Sequence, residues 1–261
     1  MNEQTYYLNP DWQTLLGSNQ LSSFEDFWAL DIPTVDEGNY GRGQDGWSKV
    51  CIHNLDADNG QPHRIVIKRQ SNYRSRTLRH PLRGIPTFVK EYDFIRKYEA
   101  LQIPALKAVY FATRQQDGDL QAILVTEYLE GYRPLEDIIA EWTKGAALCQ
   151  RKPVITCVAK LVAQLHLQGL EHRCLFPKHI FVPQNPETEP ACLIDLEKTR
   201  SRPLSFGRHV RDLTALARRS KSVSRRDMLR FMHDYLGTNK LNADGKKLWR
   251  KISQRIDKKR R

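Results

Sequence analysis

Short apolar runs separated by polar turns occupy the first half of the chain. Residues 47–54 and 63–69 alternate or run apolar with Val and Ile, side chains that suit a pleated, half-buried surface, and predict two strands. The stretch LDADNGQP between them, with Asn59-Gly60, predicts a hairpin connection. Phe88, Phe94, Ile95, Tyr98 and Leu101 fall on one helical stripe, with Thr87 as the candidate cap and Pro104 as the stop. Two more strands, 107–114 and 121–128, flank the turn QQDGD. Residues 1–27 read as a polar lead-in bearing aromatics, and DEGNYGRGQDG at 36–46 as a turn.

Helical periodicity dominates the second half. Residues 134–142 start with Pro134 at a favourable first-turn position. The strongest amphipathic pattern is 153–168, with Val154, Val158, Leu161, Val162 and Leu165 on one face and Gly169 as the stop. Runs at 180–182 and 192–194 predict a small hairpin, and helices are expected at about 207–220, 224–236 and 241–257. The expected fold class is therefore α+β. An antiparallel sheet with one helix (1–130, an N-lobe) precedes a mainly helical C-lobe (131–261). A chain of 261 residues can give each lobe a core.

Composition narrows the function. The net charge of +12 calls for an anionic partner: a nucleic acid, a phosphorylated substrate or an acidic membrane face. No zinc-finger, RNP or helix-turn-helix signature accompanies the charge, so nucleic acid ranks last. Cys51, Cys149, Cys157, Cys174 and Cys192 form no CxxC pair, which argues against a disulfide framework and a structural zinc site. No apolar run reaches the length of a membrane span. The first residues lack the basic and apolar regions of a secretory signal, so the chain is expected to stay in the cytosol.

Five features carry candidate chemistry, and their order matters more than any one of them. Gly41, Gly43 and Gly46 make a GxGxxG ahead of a strand, where backbone N–H groups approach phosphates. Lys68 ends an apolar strand, where a cation holds nucleotide phosphates. Glu91 lies 23 residues on, within the next predicted helix, placed to pair with that lysine. LHLQGLEHRCLFPKH at 165–179 tracks the helix and catalytic loop of kinases, with His172 and Arg173 as structural supports. Asp195, in LIDLE, stands where a Mg²⁺-binding aspartate belongs. The apolar run 122–128 falls where a hinge between lobes belongs, which makes Glu127 a candidate nucleotide contact.

In GWSKV, VIKRQ, RGIPTFVKEYDFI, HRCLFPKHIFV, LIDLEKTR and RDLTAL, over about 38–220, the chain resembles the lipopolysaccharide core heptose and Kdo kinases. This is the WaaP/RfaP-like group of protein-kinase-like bilobal fold, here of its InaA-type branch. The resemblance implies ATP and Mg²⁺ as cofactors. It also implies a sugar hydroxyl of the lipid A–core as acceptor, and work at the cytoplasmic face of the inner membrane. By position it gives Lys68 the α/β-phosphates, Glu91 the pairing role and Asp195 the Mg²⁺. His179 would assist at metal or phosphate, in the place of the usual kinase Asn, and Asp212 would brace the loop backbone. Arg74, Arg76, Arg79 and Arg83 are candidate grips for an anionic acceptor.

The departure is Cys174, which holds the position of the catalytic aspartate. A thiol is neutral near pH 7, with a reference pKa of about 8.5. General-base catalysis is worth about 10²–10⁴ in rate, whereas phosphoryl transfer depends mostly on positioning and charge neutralisation. Two classes of function follow: an active sugar kinase, with Glu171 or Glu197 as alternative carboxylates, and a pseudokinase or nucleotide-binding scaffold with little transfer activity.

Overall fold

The computed structural model describes residues 2–36, 46–57, 63–75, 84–145, 147–201 and 209–258. The chain forms two compact units, residues 1–97 with 106–128, and residues 98–105 with 129–261.

The first unit is built on a six-stranded antiparallel sheet of β1 (Asn2–Leu8), β2 (Thr34–Asp36), β3 (Trp47–Leu55), β4 (His63–Ser71), β7 (Ala108–Gln116) and β8 (Asp119–Glu127). α1 (Gln13–Ser18) and α2 (Phe24–Ala29) follow β1, and the short pair β5 (Arg74–Ser75) and β6 (Ile85–Pro86) precedes α3 (Thr87–Ala100). The strand order is β1-β7-β8-β4-β3-β2. β4 is interior, so Lys68 is in register with Val50 on one side and Leu124 on the other. Its backbone is bonded on both edges, which fixes where its side chains point.

Alternation along β4 does the rest. Ile65, Ile67 and Arg69 share one face, and Val66, Lys68 and Gln70 share the other. The first face is covered by α1 and α2, whose Leu16, Phe24 and Phe27 pack with Leu21, Ile65, Ile67, Tyr110 and Ile123 in one apolar cluster. The expectation for residues 1–27 is thereby corrected: the lead-in is an edge strand and two core-forming helices. Short amphipathic helices of six residues show too little periodicity to be read from sequence.

Arg69 holds this segment to the sheet. Its buried guanidinium donates to the carbonyls of Trp28 (2.8 Å) and Leu30 (2.7 Å), at the C-terminal end of α2, where a cation is favoured. Replacing it by methionine keeps the stem and orphans those carbonyls. We expect Arg69→Met to cost about 2–4 kcal/mol, read as a lowered denaturant midpoint, with faster amide exchange in α2.

The second unit opens with β9 (Tyr132–Pro134) and α4 (Leu135–Glu141), followed by the long α5 (Leu148–Leu167). β10 (Leu170–Glu171), β11 (Ile180–Pro183), β12 (Cys192–Leu193) and β13 (Arg200–Ser201) come next, then α6 (Val210–Arg219), α7 (Arg225–Leu236) and α8 (Ala243–Asp257). β11 pairs with β12 as the expected hairpin and also with β9, and β10 pairs with β13.

Three local expectations change. α5 begins five residues before Pro153: Gln150 accepts the Ala147 N–H, and the proline forfeits only one early bond of the helix. Pro134 is the cap residue before α4 and ends β9. Thr87 is the first residue of α3, and its hydroxyl donates to Gln70 Oε1 (2.7 Å) in place of capping.

Candidate active site

In the first unit, the face of β4 turned from α1 and α2 meets α3. Lys68 Nζ lies 2.6 Å from Glu91 Oε1, with side chains 15% and 3% exposed. A carboxylate this buried requires a cation or several donors, and here the cation is Lys68. Gln70, two residues on, reaches Thr87 on the same helix, so α3 is tied to β4 at two points.

Other candidates in this unit take structural parts. A Cβ on Gly46 would lie 2.7 Å from the Asn72 carbonyl oxygen, so glycine is required there by a close backbone approach. Glu127 Oε1 accepts from the Trp12 indole (3.1 Å), which ties the end of β8 to the N-terminal segment. Arg74 donates to the Asn72 side chain (2.8 Å) on an exposed surface. Gly41, Gly43, Arg76, Arg79, Arg83 and the Asn59-Gly60 turn lie outside the described residues.

In the second unit, α5 runs to Gln168, where Gly169 (φ +67°) turns the chain into β10. His172 and Arg173 follow, Arg173 in the left-handed region at φ +66°. That strain is held by Asp212 on α6, whose Oδ2 accepts from His172 N (2.7 Å) and whose Oδ1 accepts from Arg173 N (2.8 Å). Asp212 is fully buried. Burial raises its pKa, but His166 and the backbone donors outweigh that and hold it below the usual carboxylate value.

Behind Asp212 lies a network that sequence reasoning missed. His166 Nε2 is 3.4 Å from Asp212 Oδ2, its Nδ1 is 2.8 Å from the Tyr235 hydroxyl on α7, and its ring stacks on His209 at 3.8 Å. Burial lowers the pKa of both histidines, that of His209 to about 4, so both rings are neutral at pH 7. The LH dipeptide of 165–166 is the one signal in sequence for His166, and nothing in sequence marks Tyr235 or His209.

His179 and Asp195 come together. β12 ends at Leu193, and Asp195 takes φ +59°, ψ +60°, turning its side chain back before the 3₁₀ turn Leu196–Lys198. The turn is pinned because Ile194 N donates to the His179 carbonyl (3.1 Å) and His172 Nε2 donates to the Ile194 carbonyl (2.9 Å). His179 Nε2 lies 3.4 Å from Asp195 Oδ2. The other ring nitrogen, Nδ1, is 2.9 Å from the Cys174 carbonyl, which only accepts, so Nδ1 carries the proton. Burial lowers the His179 pKa despite Asp195, so the ring is neutral at pH 7 and Nε2 presents a lone pair. Two acceptors facing each other at this distance fit a divalent cation between them. No cluster of three or more His, Cys, Asp or Glu suited to a metal occurs among the described residues, so phosphate and water oxygens would complete the shell.

Cys174 is half-buried beside these groups. Burial pushes its thiol pKa up, Lys198 lowers it, and Asp195, Glu197 and Asp212 raise it further. It is a neutral thiol at pH 7 and accepts no proton from an alcohol. Cys51, Cys157 and Cys192 are buried and Cys149 is exposed.

Comparison with known proteins gives three concordant results. The model of the lipopolysaccharide kinase (Kdo/WaaP) family matches residues 25–235. Protein InaA of Escherichia coli (strain K12) is 29% identical over 187 residues, covering 71% of this chain and 82% of InaA. The solved structure of WaaP in complex with acyl carrier protein superposes with a TM-score of 0.67 over 99% of both chains at 20% identity, which makes the fold protein-kinase-like.

Proposed function

The chain belongs to the lipopolysaccharide kinase (Kdo/WaaP) family, and from that premise we propose that it transfers the γ-phosphoryl group of ATP to a sugar hydroxyl of a lipopolysaccharide core. The observation that carries this reading is the facing pair His179 Nε2 and Asp195 Oδ2 on a loop whose backbone is clamped by Asp212.

Asp195 and His179 would hold Mg²⁺, which would supply neutralisation of phosphate charge and orientation of the transferred group. A nitrogen ligand is less usual for Mg²⁺ than oxygen. Lys68 binds the α/β-phosphates, and Glu91 fixes the ammonium so that little side-chain entropy is lost when nucleotide arrives. Asp212 does not touch the reactants. It holds the His172–Arg173 backbone in its strained form, and so sets the position of Cys174 and His179.

The acceptor and the membrane account for the charge. No helix among the described residues is long and apolar enough to cross a membrane. α8 exposes Lys246, Lys247, Arg250, Lys251 and Arg255, a face suited to anionic lipid at the cytoplasmic side of the inner membrane. The second reading, a nucleotide-binding scaffold with little transfer, is favoured by the neutral thiol at Cys174.

Labelled ATP, Mg²⁺ and delipidated core oligosaccharide separate the two. The kinase reading expects transfer by the native chain and a loss of about 10²–10³-fold in Asp195→Ala. Intact Mg·ATP binding without transfer would support the scaffold.

A further inference from the structure

α6 meets the catalytic loop at two places. Asp212 accepts from the His172 and Arg173 N–H groups, and Arg219 follows it by seven residues, two turns along the same helix. That spacing puts both side chains on one face of α6. Arg219 Cζ stands 3.8 Å from the centre of the Phe176 ring. Phe176 belongs to the loop itself. Its N–H donates to the Cys174 carbonyl (2.7 Å), its carbonyl accepts from His179 N (2.9 Å), and its ring centre is 5.4 Å from that of His179.

A cation in the last turn of a helix is favoured by the dipole wherever it points. Arg219 differs in lying over an aromatic ring of the loop. A guanidinium carbon this close to a ring centre is in contact through its flat face, which leaves the edge of N–H donors for other partners. The surroundings favour an anion there. Between Asp212 and Asp227 the chain has five cations, Arg218, Arg219, Lys221, Arg225 and Arg226, and no carboxylate. All five are exposed. Such a local excess of one sign concentrates counter-charged ligands.

We infer that Arg219, seated on Phe176, binds an anionic group of the acceptor, a phosphate or a carboxylate, beside the hydroxyl that is phosphorylated. The inference rests on the sugar-kinase reading and deepens it, by giving the acceptor a class, an acidic saccharide, and a residue that recognises it. Phe176 is two residues from position 174, at most about 7 Å of chain. A hydroxyl at position 174 and an anion at Arg219 therefore belong to one sugar or to adjacent sugars. The guanidinium fork takes two oxygens of such a group at once, which fixes the sugar's orientation as well as its affinity. In the same reading the nucleotide phosphates have their own cations at Lys68 and at the His179–Asp195 pair, which leaves Arg219 to the acceptor.

The test measures steady-state transfer by the full chain from Mg·ATP to delipidated core oligosaccharide whose acceptor hydroxyl is free. The oligosaccharide is supplied intact, without its phosphates, with its carboxylates reduced to alcohols, or stripped of both. Arg219→Ala is expected to raise the KM for the intact form about tenfold, with kcat and the KM for ATP changed less than about twofold. The Tm is expected to be unchanged, because the side chain is exposed. On the stripped form the native chain and the variant are expected to share one KM. The single removal that also erases their difference identifies the bound anion. Arg219→Lys keeps the charge without the fork and is expected to restore part of the affinity for the intact form. Three results overturn the inference and leave the kinase reading standing: native kinetics in Arg219→Ala, an equal rise in KM on every form, or a rise in the KM for ATP in place of the acceptor. No transfer by the native chain to any form sinks the kinase reading, and the role of Arg219 with it.

Discussion

Asp212→Ala is expected to cost about 3–5 kcal/mol and to lower the Tm by about 10 °C, a large effect for one carboxylate. Three groups depend on it. The N–H groups of His172 and Arg173 lose their acceptor in a buried place where water does not replace it, and His166 loses the charge beside its ring. Arg173 at φ +66° then loses the backbone bond to Asp212 that supports it in the left-handed region. Asp212→Asn makes the argument sharper. The amide is the same size, yet it offers one acceptor and one donor where two backbone donors converge, so one N–H must face an NH₂ group. Asn is expected to lose about half of what Ala loses and to retain native secondary structure. Thermal melts with amide exchange of the loop read both. An Asp212→Asn chain with native Tm and native loop protection would mean that the two backbone bonds are not what shapes the loop.

Lys68→Met is expected to act on stability and on nucleotide binding, and the two can be separated. Glu91 is 3% exposed, so removing the cation beside it leaves a buried carboxylate that costs about 3–5 kcal/mol. The double variant Lys68→Met with Glu91→Leu removes both charges and is expected to recover most of that stability. Neither variant is expected to bind ATP well: the lost charge-assisted contact is worth about 1.5–3 kcal/mol, or about 10–10²-fold in Kd. Isothermal titration with Mg·ATP beside chemical denaturation reads both quantities. Native ATP affinity in the stable double variant would sink the assignment of Lys68 to the phosphates. A mere loss of affinity in the destabilised single variant would not decide the matter.

The sequence and the structure agree best where periodicity is long or chemistry is local. β3, β4, β7 and β8 stand within two residues of their expected bounds, because alternating Val and Ile leave one register in which the apolar side is buried. The hairpin of β11 with β12, and α6, α7 and α8, were equally plain from apolar spacing. The N-terminal helices were not. α1 and α2 have six residues each, less than two turns, so Leu16, Phe24 and Phe27 gave no countable stripe. Arg69 was unreadable for another reason: its partners are main-chain carbonyls, which every sequence contains.

The candidate site divides the same way. Lys68, Glu91 and Asp195 were named by residue type and spacing, because those chemistries are carried by few side chains in a fixed order, and His179 and Asp212 by the family resemblance. Spacing could not say which nitrogen of His179 carries its proton, since the Cys174 carbonyl decides that. Nor could it say that Glu171 is buried, since burial is decided by the fold.

By itself, then, the order of residues determined the α+β class, the strands and long helices and the charge, and it named the candidates for the site. Tertiary structure alone decided the lead-in's place in the core, the strain stored at Arg173 and the facing of His179 and Asp195. The physical reason is range. Propensity and periodicity act over a few neighbours along the chain, whereas burial, protonation and juxtaposition depend on segments tens of residues apart that meet only when the chain has folded.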